Sequence, residues 1–137
     1  MLKIIDTNYA IRYLVQDDYN RALEAKTIID EGAYILPESL VELVYVLQKA
    51  YKTPRKEIYY AILDLLDDVE IIDKQIYQDA ARLYGKTKFD YVDCILAIRH
   101  RLLNDKIFTF DKEDCDNVTY YMDNISEYLS TFLFFCI

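Results

Sequence analysis

The apolar residues fall into two kinds of pattern. Short, mainly apolar runs occur at residues 2–5 (Leu2, Ile4, Ile5), 33–36, 69–72 and 107–110, with a further one at 118–121. Runs of this length suit strands buried on both faces of a sheet. Between them, apolar residues recur at helical spacing: Tyr9, Ile11, Tyr13 and Leu14; then Ala22, Ala25, Ile28 and Ile29 within 19–31, closed by Gly32. Leu40, Leu43, Val44 and Leu47 mark a helix opened by Pro37 and running to about residue 51, with Glu42 on the adjoining strip. Pro54 opens another, carrying Ile58, Ala61, Ile62 and Leu65. A fifth spans 75–84 and ends at Gly85; the sixth begins near Asp90. Strands alternating with helix pairs predict an α/β fold with a mostly parallel sheet covered on both faces. Ligands of such sheets sit beyond the carboxyl ends of the strands.

Asp6 and Asp111 each follow an apolar run, and the sixth helix drives Asp93 in among Cys94, Ile95, Leu96 and Ile98. Each acid has a plain structural explanation. Asp6 or Thr7 caps the first helix, Asp111 caps a turn, and Asp90 and Asp93 favour the positive end of a helix dipole. Glu42, taken alone, is a surface glutamate. Taken together they mean more, because Asp6, Glu42, Asp93 and Asp111 can converge at one sheet edge. Two carboxylates about 5 Å apart repel by roughly 3 kcal/mol at an effective dielectric near 20. Four would hold extra protons or bind a divalent cation, and oxygen-only ligands favour magnesium or manganese.

Composition narrows the field. The 137 residues suit one domain, and 53% hydrophobic residues with two glycines and two prolines favour regular structure. A net charge of -8 argues against sequence-blind adhesion to nucleic acid, though Lys86, Lys88, Arg99, His100 and Arg101 make a local basic cluster. Cys94, Cys115 and Cys136 lack metal-ligand spacing and read as reduced thiols. No leader or membrane span is legible, so a cytoplasmic protein is expected. Residues 128–137 are strongly apolar and must pack, either as a last helix on the core or in an oligomer contact.

The ordered set Asp6-Thr7-Asn8, Pro37-Glu38-Ser39-Leu40-Val41-Glu42, Asp93-Cys94-Ile95-Leu96-Ala97 and Thr109-Phe110-Asp111 resembles the PIN-domain family, and within it the VapC-type toxins of toxin-antitoxin pairs. The resemblance covers residues 1–121, leaving 122–137 as an apolar extension of a single domain. It implies a three-layer α/β/α fold with a four- or five-stranded sheet, and a magnesium- or manganese-dependent endoribonuclease. By the same resemblance, Asp6, Glu42, Asp93 and Asp111 hold the metal and carry catalysis. Asn8, Thr109 and Asp90 support them; Arg12, Lys86 and Lys88 are candidates for RNA contact; the implied partners are a cognate antitoxin and a second copy in a homodimer. Two other readings compete. A haloacid-dehalogenase-like phosphatase also places an aspartate after its first strand, but it wants a second aspartate where Asn8 stands. A non-catalytic binding module would use the acids only as caps.

Overall fold

The computed structural model describes residues 1–108. Thr109 and Asp111, half of the strand expected at 107–110, the one at 118–121 and the apolar residues 128–137 all lie outside the described residues. Within them the chain runs β1 (Ile4–Ile5), α1 (Thr7–Val15), α2 (Tyr19–Asp30), β2 (Tyr34–Ile35), α3 (Pro37–Lys49), α4 (Arg55–Asp68), α5 (Lys74–Lys86) and α6 (Tyr91–Leu103). No helix among the described residues is long and apolar enough to cross a membrane.

β1 and β2 pair in parallel, Ile4 opposite Tyr34 and Ile5 opposite Ile35. The expected strand at 69–72 is reduced to one parallel bridge, Tyr34 to Glu70, carried by Ile35 N–H donating to Glu70 O (2.9 Å) and Glu70 N–H to Ala33 O (2.8 Å). Pairing stops there because Asp73 takes a left-handed conformation (φ 53°) that turns the chain into α5. The described part of the sheet therefore has two strands and a bridge, with helix pairs as the crossovers. The described residues cover one face: Ile5, Ile35 and Ile71 are buried, while their neighbours Ile4, Tyr34 and Ile72 are exposed. The expectation of strands buried on both faces is not met by the described residues.

The helical stripes pack as their spacing dictates. Leu40, Leu43, Val44 and Leu47 of α3 are all buried, as are Ile58, Ile62, Leu65 and Leu66 of α4, and together they form the core with α5 and α6. Burying one such side chain contributes about 1.5–3 kcal/mol relative to exposure, so these stripes fix how each helix is rotated. Across the bundle, the Tyr13 hydroxyl donates to Asp68 Oδ2 at 2.5 Å, linking the end of α1 to the end of α4. That bond, followed by burial, raises the phenol to about 12.

Gly85 does not end its helix. α5 continues through it to Lys86, and a methyl group there would lie 2.9 Å from Tyr59 Cβ and 3.1 Å from Tyr59 Cγ on α4. Its role is close helix approach. Gly85→Ala gains helix propensity worth about 0.5–1 kcal/mol, but Tyr59 Cβ is anchored to its backbone, so the helices must part, at about 1–3 kcal/mol. The expected result is a net loss of stability, read as a lower urea midpoint with unchanged slope.

Candidate active site

β1 delivers Asp6 to the start of α1. In extended conformation (φ -90°, ψ 178°), Asp6 caps the helix, its Oδ1 accepting from Tyr9 N–H at 3.0 Å. This is the structural role weighed for it from sequence, and among the described residues it leaves Oδ2 without a hydrogen-bond partner. Thr7, next along, is buried on the same stripe as Ala10 and Ile11. Its Oγ1 lies 3.0 Å from Glu42 Oε2 and 3.2 Å from Ser39 O. A hydroxyl has one proton, so the two acceptors share it. Glu42 is thus more than a surface glutamate: α3 is rotated by its buried stripe so that Glu42 comes to the start of α1, where Thr7 holds one of its oxygens.

Asp93 sits half-buried in the first turn of α6, at the boundary between buried Ala97 and exposed Leu96. Asp90 is the N-cap residue by backbone geometry but makes no side-chain capping bond, though its charge favours the positive end of the helix dipole. The approach to α6 is fixed by Arg55 from α4. Its Nε donates to Tyr84 O (3.0 Å), its Nη2 donates to Phe89 O, and its guanidinium lies 3.7 Å over the Tyr84 ring. Tyr91 adds an anchor, its hydroxyl donating to Tyr77 O at 2.8 Å.

Asp6 and Glu42 are therefore brought together through Thr7. Asp93 is not joined to them by coordination: among the described residues, no three His, Cys, Asp or Glu side chains lie close enough to hold a metal ion. Asp111 lies outside the described residues. What the donor set offers at Asp6 and Glu42 is one oxygen of each carboxylate held by a neutral donor, which suits a hard cation and does not suit zinc or copper.

The other predicted residues divide. Asn8 and Arg12 line an open cavity of about 410 Å³ between α1 and α2, with Tyr9, Arg21, Glu24 and Ala25. Arg12 is paired with Asp17 (2.7 Å), Arg21 with Asp18 (3.6 Å), and the Tyr9 hydroxyl donates to Glu24 (3.1 Å). Two guanidiniums against three carboxylates make this a poor cradle for a polyanion. In the basic cluster, Arg99 Nε binds Asp105 Oδ2 (2.9 Å) and His100 Nδ1 lies 2.7 Å from Asp105 O, so both secure the end of α6. Lys86 is the last residue of α5, and Lys88 stands exposed on the loop after it.

Sequence reasoning offered Thr7 only as a cap of the first helix and did not single out Arg55 or Asp79. Thr7 was findable, since spacing puts it on the core stripe with Ala10 and Ile11, where a polar group needs a partner. Asp79, buried on α5, pairs with Arg82 (2.7 Å) and accepts from Gln75 (3.0 Å). A buried acid can thus be purely structural in this chain.

The PIN domain family matches residues 3–118, a span that brackets all four predicted acids. A VapC ribonuclease from Aquifex aeolicus (strain VF5) is 25% identical over 114 residues, covering 77% of this chain and 83% of that protein. No solved structure gives a significant match.

Two outcomes are expected here. Thr7→Val keeps the shape but removes the proton shared by Glu42 and Ser39; stability should fall by about 1 kcal/mol, and Glu42 should lose its fixed position, seen as line broadening of its side-chain carboxyl signal in NMR. Cys94, next to Asp93, is a free buried thiol that burial pushes up to about 12. At pH 8 its thiolate fraction is some thousandfold below that of an ordinary cysteine, so mass spectrometry should show alkylation of Cys94 slower by about that factor in the native chain than in urea.

Proposed function

The chain belongs to the PIN domain family, and from that premise we propose that it is a metal-dependent endoribonuclease, the toxin of a toxin-antitoxin pair, hydrolysing phosphodiester bonds in RNA. The observation that carries this reading is the Asp6–Thr7–Glu42 linkage at the carboxyl end of β1, where α/β folds place their ligands. The similarity to a protein named VapC ribonuclease supports it. Family membership favours it over the phosphatase reading.

In this proposal Asp6, Glu42, Asp93 and Asp111 hold magnesium or manganese, and the sheet gains its remaining strands from 107–110 and 118–121, making four or five in a three-layer domain. Such a cation, when bound, supplies Lewis-acid activation of water and offsets charge on the phosphoryl oxygens. The protein's own part is positional. Thr7 keeps Glu42 turned towards Asp6, Asp6 holds its own orientation through the cap, and Arg55 with Tyr91 sets where α6 begins and hence where Asp93 stands. Asn8, Asp90 and Thr109 are the supporting polar groups. Lys86 and Lys88 are the better candidates for contacting the RNA backbone, since Arg12 is already engaged by Asp17. Contacts of that kind position substrate without reading sequence. The partners proposed are RNA, a cognate antitoxin and a second copy of the chain, in the cytoplasm.

Asp6→Asn separates chemistry from capping, because Asn caps a helix about as well as Asp. The variant should fold with near-native stability yet lose at least the roughly 10–100-fold that even a supporting group's loss costs a metal site. Cleavage of single-stranded RNA should need magnesium or manganese and stop with a chelator. Activity that survives both the chelator and the substitution overturns the reading.

A further inference from the structure

Strand register puts Ile4, Tyr34 and Glu70 in one row on the outer face of the sheet, and alternation adds Leu2, Leu36 and Ile72 to that face. Leu2 is 64% exposed, Ile4 54%, Tyr34 41%, Leu36 46% and Ile72 67%. Five large apolar side chains on three adjacent strand segments make a continuous patch, because neighbouring strands lie only about 4.8 Å apart. Parallel sheets are normally covered on both faces, and all six described helices leave this one bare.

The same chain carries a second strongly apolar stretch. Residues 128–137 include Leu129, Phe132, Leu133, Phe134, Phe135 and Ile137 and no charged residue. We propose that residues 128–137 pack on the outer face of the sheet, over Ile4, Tyr34 and Ile72, and so cover β1 from the side opposite the helices.

Three arguments favour this occupant. The match is chemical, uncharged and aromatic-rich sequence against a mainly aliphatic face whose one acid, Glu70, pairs with Lys74 at 3.6 Å. Reach is no obstacle, because the 19 residues 109–127 span up to about 60 Å when extended. Tethering decides between this segment and a second copy: a segment of the same chain meets the face at an effective concentration of order millimolar, whereas a second molecule must give up translational and rotational freedom to dock. The packing has a consequence for the site. β1 ends at Ile5, directly before Asp6, so clamping β1 from its outer side steadies the carboxylate.

Cys136 supplies the probe. In the 137-residue chain carrying Cys115→Ser, cysteines introduced singly at Leu2, Ile4, Tyr34 and Ile72 scan the face; mild oxidation with copper phenanthroline should join at least one to Cys136 within a monomer. The product is two hydrogens lighter by intact mass and runs ahead of the reduced chain on a non-reducing gel. Disulfide-linked dimers in place of that species would mean that a second copy covers the face, and four thiols that stay open to alkylation would mean that something else does or nothing does; either overturns the proposal. As a second measurement, Phe134→Asp should speed hydrogen exchange at Ile5, Tyr34 and Ile35 roughly tenfold or more, while the amides of α4 and α5 stay protected. Unchanged exchange at all three overturns it as well.

Discussion

One shared proton organises the front of this molecule. The Thr7 hydroxyl is buried where α1 meets α3, and it serves both a backbone carbonyl and the carboxylate of Glu42, 35 residues away. Leaving such a hydroxyl unsatisfied would cost about 1–3 kcal/mol, so the first turn of α1 cannot move from α3 without losing the bond. Asp6 is covalently next to it and capped onto the same turn. A threonine thus joins the elements that carry two acids distant in sequence.

Charge elsewhere is used for structure. Asp79 and Arg82 neutralise each other inside α5, Arg55 spends its donors on the carbonyls of Tyr84 and Phe89, and Arg99 with His100 secures the turn at Asp105. These pairings sort the basic residues that looked alike in the sequence. Those tied to carbonyls and neighbouring acids stabilise helix ends; exposed Lys88 on the loop after α5 is of a different kind. Net negative charge over the whole chain says little about either group, because screening confines each to its own surroundings.

Helices were legible in the sequence because their apolar residues repeat at a period that only one rotation satisfies. The stripes on α3 and α4 reappear as buried residues nearly position for position, and the acid after β1 stands where the end of the apolar run put it. What was not legible depended on neighbours distant in sequence. Gly85 reads locally as a helix terminator, and only the proximity of Tyr59 shows that it permits close packing. Residues 69–72 read as a strand, but a left-handed Asp73 leaves room for one bridge. Glu42 gave no sign of its tether, since the partner lies in a different helix. Of the four expected acids, Asp6 and Glu42 are linked through Thr7 in the described structure, and Asp111 lies beyond the described residues.

The Arg55 clamp makes the second half of the described chain mechanically one piece. α4 and α5 are locked by the near-contact of Gly85 and Tyr59, and Arg55 ties α4 to the backbone on both sides of the segment that opens α6. Packed interfaces of this kind shift between discrete arrangements and do not deform smoothly. The start of α6, and with it Asp93, is therefore coupled to α4: freeing Arg55 would loosen the backbone anchors at Tyr84 and Phe89 together.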